Sequence, residues 1–159
     1  MILKSLFFYN YVKKYNNILL FKTGNTKSFV DNILSKYTNI EKIDTPSNIT
    51  DVSQYEFVGF SSGIYYGEQA NEITQQIEKL NLTGKKCFFL WTSGSSGEKY
   101  NNCPKEIIEK KGGTFLGGYG AKAKMTFWLF RCCCCCCGGT VTQKEIENGQ
   151  NFMDNIFNQ

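Results

Sequence analysis

The sequence predicts an α/β fold in three layers: a doubly wound, largely parallel sheet of about five strands with helices on both faces. Three observations predict it. Short apolar runs of strand length alternate with segments whose apolar residues recur at helical spacing. The central runs, YEFVGF at Tyr55–Phe60 and KKCFFLW at Lys85–Trp91, are continuous rather than alternating, as strands covered on both faces are. Loops rich in Ser, Thr and Gly follow three of these strands, on the side where doubly wound sheets bind ligands.

The elements follow in order. Asn17–Phe21 is a short strand, with Leu3–Asn10 as a rival for the same slot. Asn25–Tyr37 sets Phe29, Val30, Ile33 and Leu34 on one helical face, and Ile40–Ile43 reads as a second strand. Tyr55–Phe60 is the third strand, and the helix Glu68–Leu80 has Ile73, Ile77 and Leu80 on one side. Lys85–Trp91 is the fourth strand. Pro104 sits near the start of a helix, Pro104–Lys111, that Gly112 and Gly113 end. Thr114–Gly118 is a further strand, and Gln143–Phe157 a terminal amphipathic helix. Right-handed crossovers then bring the loops Lys22–Thr26, Ser61–Gly67 and Thr92–Gly97 to one edge of the sheet, where they are expected to meet.

Bulk properties narrow the chemistry. At 159 residues, with 42% hydrophobic and 20% charged residues, the chain fits one soluble domain spanning 1–159. No apolar run approaches the ~20 residues of a membrane span. Lys4 interrupts the apolar start and no small-residue cleavage site follows, so a secretory leader is not expected and the setting reads as cytoplasmic. The net charge of +4 is spread along the chain, unlike a nucleic-acid footprint. There is no histidine, which excludes Ser-His-Asp and Cys-His catalysis and the His-based zinc motifs. Chemistry near neutral pH falls to other side chains or to a cofactor.

Lys22–Thr26 reads KTGNT between a strand and a helix. Gly24 permits a tight turn, the helix start offers unpaired N–H groups, and the Thr23 and Thr26 hydroxyls add donors without negative charge. A phosphomonoester suits such a nest. A plain helix cap would use the same residues.

At this point the sequence resembles the flavodoxin family, whose phosphate loop has the form [ST]-x-T-G-x-T. YEFVGFSSGIYYG from Tyr55 is similar to the family's third strand and first flavin-side loop, and GKKCFFLWTSG from Gly84 to its fourth strand and second such loop. Gly138–Phe157 is similar to its closing loop and helix. The resemblance implies a flavodoxin-like fold with strand order 2-1-3-4-5 and non-covalently bound FMN. It places Thr23, Gly24, Asn25 and Thr26 on the phosphate, with Lys22 as a further contact. Ser61, Ser62, Gly63, Ile64, Tyr65 and Tyr66, and Thr92, Ser93, Gly94 and Ser95, would flank the isoalloxazine ring, with Tyr65 or Tyr66 stacked on it. The electron chemistry would be the flavin's own. Implied partners are a redox protein (a flavoprotein reductase, or an iron-sulfur or haem acceptor) or a quinone.

The sequence departs from this pattern in three places. Phe21 stands where the motif has Ser or Thr. Removing Tyr11–Phe21 would join SLFFYN to KTGNT, closer to the family, so 11–21 reads as an atypical insertion or an artefact of the gene model. A second is expected at 121–137, where Cys132–Cys137 are six consecutive cysteines. Adjacent sulfurs cannot easily aim at one metal, so no metal site is assigned. A low-complexity stretch is the plainest reading, with acylation beside Phe127, Trp128 and Phe130, giving membrane contact, as another. Cys87 reads as a core residue and Cys103 as a loop thiol. Finally, the mild positive charge is unlike the usual acidic carrier. An electron carrier is the leading functional reading. A self-sufficient NAD(P)H- or quinone-dependent reductase of the same fold and a flavin-free interaction module are the alternatives.

Overall fold

Strand β1 (Asn17–Phe21) lies between β2 (Ile40–Asp44) and β3 (Phe57–Tyr65), parallel to both, so that Phe21 is level with Asp44 on one side and Ser61 on the other. A short strand β4 (Glu68–Gln69) folds back antiparallel on the end of β3. β5 (Lys86–Ser93) and β6 (Thr114–Lys122) complete the sheet in the order β2-β1-β3-β5-β6. Leaving aside β4, this is the order 2-1-3-4-5 that the sequence implies. The computed structural model describes residues 17–21, 25–44, 49–94, 97–122 and 141–158. The rival strand Leu3–Asn10, the phosphate-loop residues Lys22, Thr23 and Gly24, Ser95, the aromatic residues Phe127, Trp128 and Phe130, and Cys132–Cys137 lie outside them. Within them, Asn17–Phe21 takes the slot between β2 and β3, and Ala121 and Lys122 complete β6.

Each face has its own core, because β5 alternates strictly between them. Cys87, Phe89 and Trp91 point to one side, with Val58 and Phe60 of β3. There they pack on Ile73 and Ile77 of α2 (Asn71–Lys79) and on Ile108 of α3 (Asn102–Lys110). Phe88 and Leu90 point to the other side, with Leu19 and Phe57. They meet Phe29, Val30 and Ile33 of α1 (Asn25–Ile33), and Met153 and Ile156 of α4 (Gln143–Phe157). Leu34 continues the α1 stripe in a 3-10 turn, Leu34–Lys36. Gly59 lets the two rows of the second core close: a Cβ there would lie 2.3 Å from Phe88 Cζ and 2.6 Å from Leu19 Cδ1.

Four strands, β2, β3, β5 and β6, run further than the sequence pattern predicts. Ser61–Gly67 is not a loop, since β3 continues to Tyr65. Its polar end lacks an apolar signal, but β5 offers it a ladder as far as Gly63 opposite Thr92, and β4 pairs with Ile64 and Tyr65. The turn shrinks to Tyr66 and Gly67, at φ 55° and 94°, the two positive values a type I′ hairpin requires. Glu68 and Gln69 therefore belong to β4, and the helix expected from Glu68 begins at Asn71. Thr92 and Ser93 likewise finish β5 rather than open a loop. Among the described residues no helix is long and apolar enough to cross a membrane.

Candidate functional site

The carboxyl edge of the sheet gathers the predicted residues. α1 begins three residues after β1 ends, so Asn25 and Thr26 stand at its first turn above that edge. Thr26, only 3% exposed, places its Oγ1 2.7 Å from Thr92 Oγ1 at the end of β5. This hydrogen bond spans 66 residues and joins the start of the first helix to the end of β5. Thr92 is level with Gly63, two residues beyond Ser61 on β3. Every second residue of a strand shares a face, and Gly63 is level with Thr92, so Ser61, Gly63, Tyr65 and Thr92 all lie on the α1/α4 side. The start of α1 and the ends of β3 and β5 meet there.

On that side Ser61 Oγ is fully buried and has no hydrogen-bond partner. Among the described residues, the only other buried side-chain N or O atom in this condition is Asn101 Oδ1. A buried hydroxyl without a partner forfeits about 1–3 kcal/mol, which a ligand's donor or acceptor would recover. Gly63 carries no side chain, and the Tyr65 ring folds back over the space, its Oη 2.9 Å from where a Cβ would sit. Tyr65 is 53% exposed and thus offers an open ring beside the edge, whereas Tyr66 is 96% exposed at the tip of the hairpin. The two candidates for stacking thus differ in placement: Tyr65 lies over Gly63 and Tyr66 does not.

Ser62 and Ser93 are buried on the opposite, α2/α3 side. Ser62 Oγ accepts from Ala70 N at 2.9 Å and donates to the Gly63 carbonyl at 2.7 Å, so it fixes the entry to α2. Ile64 packs against that same core, and Gly94 follows β5 at the surface. The expected site residues thus divide. Asn25, Thr26, Ser61, Gly63, Tyr65 and Thr92 sit together, Ser62, Ile64 and Ser93 back them from behind, and Tyr66 stands apart.

Among the described residues of this cluster, Asn25, Thr26, Ser61, Gly63, Tyr65 and Thr92, none is a carboxylate. A groove of about 470 Å³ opens at the other end of the sheet, lined by Lys79, Lys110, Lys111, Asn81 and Thr83. Its lysines follow the carboxyl ends of α2 and α3, where they complement the helix carbonyls, and it touches none of the three loops. Cys87 is buried, and burial pushes its thiol up to about 12. Cys103 lies in the first turn of α3 rather than in a loop. Among the described residues no three metal-ligating side chains cluster.

Solved structures similar to this one include flavodoxins. Oxidised Flavodoxin 2 from Bacillus cereus superposes with a TM-score of 0.65 at 15% identity, over 89% of this chain and 98% of that one. A flavodoxin from the domain Archaea gives 0.60 at 16%, over 89% and 99%. Fusobacterium nucleatum flavodoxin bound to flavin mononucleotide gives 0.61 at 15%, over 89% and 97%. The fold is flavodoxin-like. An uncharacterized protein of Methanocaldococcus jannaschii is 26% identical over 133 residues, covering 82% of this chain and 86% of that protein. No family model matches the sequence.

On this flavodoxin-like frame two features escaped the sequence reading. Trp91 lies flat on the β6 backbone, where Cβ atoms at Gly118 and Gly120 would fall 2.7 and 2.0 Å from its ring. The GGYG stretch was the available signal. Glu145 caps α4 in a reciprocal box with Thr142 and also accepts from Lys122 N–H at 3.0 Å. Partial burial works against its charge, but the Thr142 and Lys122 N–H groups hold its carboxyl below the ordinary value. The TVTQKE run carried the box, but nothing in the sequence carried the link to β6.

Proposed function

We propose that this chain binds FMN without a covalent bond at the carboxyl edge of its sheet and carries electrons through it. The observation that carries the reading is one face of one edge. There the Thr26–Thr92 hydrogen bond brings the first helix to the end of β5, beside a buried Ser61 hydroxyl that has no protein partner. Thr23, Gly24, Asn25 and Thr26, with Lys22, would receive the phosphate at the amino end of α1, where backbone N–H groups and the helix dipole favour an anion. Ser61, Gly63, Gly94 and Ser95 would line the ring, and Tyr65 offers the stacking surface. Bound FMN would supply one- and two-electron transfer; the protein's part is to bind it, orient it and keep water from one side. The Fusobacterium structure, bound to flavin mononucleotide on the same fold, supports the choice of cofactor. The natural partner in this reading is a redox protein or a quinone, and the setting cytoplasmic.

Titration of the purified protein with FMN, followed by quenching of flavin fluorescence, tests the binding. Saturable quenching at one flavin per chain is expected, and no quenching defeats the reading. Stepwise reduction of the complex then tests the carrier role: two resolved one-electron steps are expected. Steady consumption of NAD(P)H with a quinone and no partner protein would instead mark a reductase.

A further inference from the structure

We propose that Thr92 is a positioning residue for phosphate recognition, donating its hydroxyl proton to Thr26 so that Thr26 keeps its own O–H for a phosphoryl oxygen. The inference rests on the FMN reading above and names a device within it.

Each hydroxyl carries one proton and accepts through two lone pairs. In a pair 2.7 Å apart one donates and the other accepts, and either direction is compatible with the distance. The direction matters to a ligand. With Thr26 as donor, its proton is spent on Thr92 and only lone pairs face an incoming anion. With Thr92 as donor, Thr26 has a free O–H, polarised by the bond it accepts, at the first turn of α1. An anion selects the second arrangement. Both side chains are suited to hold it: Thr26 is 3% and Thr92 4% exposed, so water does not compete for the pair. Both are β-branched, which limits χ1 and fixes where each oxygen points. Thr92 also pairs through its backbone with Gly63 on one side and Ala121 on the other, so its hydroxyl is mounted on the interior of the sheet rather than on a loop. The phosphate end of the site is thereby set in register with the ring end.

A different account of the same bond is that it merely pins α1 to β5. The two accounts part on ligands that differ only in the phosphate. The test measures FMN and riboflavin affinity for the wild type, Thr92→Val, Thr92→Ser, Thr26→Val and the double Val variant, with thermal unfolding of each apoprotein as the check on folding. Thr92→Val is expected to weaken FMN about tenfold, the worth of one hydrogen bond to a charged group, while riboflavin affinity stays within about twofold. Thr92→Ser restores most of the FMN affinity. The double variant is no weaker than the worse single one, because both changes break one relay. Equal losses for FMN and riboflavin, or additive losses in the double variant, overturn the proposal. A wild type that binds FMN with Thr92→Val unaffected overturns it alone, whereas a wild type that binds no FMN takes it down together with the functional reading.

Discussion

Ser61 and Ser62 are neighbours on β3, both fully buried, and they have opposite fates. Ser62 faces α2 and α3 with its hydroxyl fully used, accepting from Ala70 and donating to Gly63. Ser61 faces α1 and α4 with its hydroxyl unused. The pattern extends beyond the pair. The α2/α3 side is filled, with Trp91 laid on Gly118 and Gly120 and stacked on Phe89, their ring centroids 5.8 Å apart. Its own unpartnered oxygen, Asn101 Oδ1, is wedged over Gly118, level with Phe89 and well short of the edge. The α1/α4 side ends in small residues, hydroxyls and an open tyrosine ring. One end of a single strand thus spends its hydroxyl on the frame on one face and leaves it unspent on the other.

The largest effect should come from the filled side. Gly118→Ala would place its methyl 2.7 Å from the Phe89 carbonyl oxygen, which belongs to the sheet and cannot turn away. Overpacking of this kind costs about 1–3 kcal/mol, and chemical unfolding is expected to show a loss at the upper end of that range. Flavin affinity of the remaining folded protein should be unchanged.

The serines give the sharper contrast. Ser62→Ala strands the Ala70 N–H and is expected to cost about 1–3 kcal/mol in urea unfolding, with little effect on flavin binding. Ser61→Ala removes an oxygen with no protein partner, so the apoprotein should be as stable as wild type or slightly more so, while FMN binds several-fold more weakly by fluorescence titration. If both variants behaved alike in both measurements, the division between the faces would be wrong.

Acid should act on the frame and spare the edge. Lys42 holds the Asp31 carboxyl below its ordinary value, and hydrogen bonds from Lys36 and the Tyr37 hydroxyl do the same for Asp154. Glu145 is lowered as well. A carboxyl whose folded value is depressed adds stability above its unfolded value and loses it as pH falls through the folded one. The apoprotein should therefore hold its unfolding midpoint from pH 7 to about 5 and lose it gradually below about 4.5. The pairs are mostly exposed, so the loss should be modest.

Much of this was legible in the residues. Alternation of apolar runs gave the layers, and the helical stripes at Phe29, Val30, Ile33, Ile73 and Ile77 are buried as their spacing requires. The ends of the strands were not legible, because Ser61–Tyr65 and Thr92–Ser93 are polar or small and pair only because a neighbouring strand is there. The same blindness hid the roles of the two serines. Composition marks both as loop formers, and only parity along a strand of known length tells which face each one meets. Tyr65 and Tyr66 are likewise indistinguishable in sequence, and the left-handed turn at Tyr66 separates them.

Glu145 has a consequence for how this chain tolerates change. Its carboxyl accepts from Lys122 N–H with one oxygen and from Thr142 N–H with the other, at 3.0 and 2.8 Å. The exit from β6 and the entry to α4 are therefore no farther apart than two hydrogen bonds and the width of a carboxyl group. Such a clasp makes the domain indifferent to what is spliced between its jaws, since closure entropy grows only with the logarithm of length. Replacing residues 123–140 with a bridge of about four Gly and Ser residues should shift the unfolding free energy by only on the order of 1 kcal/mol, in favour of the shorter chain.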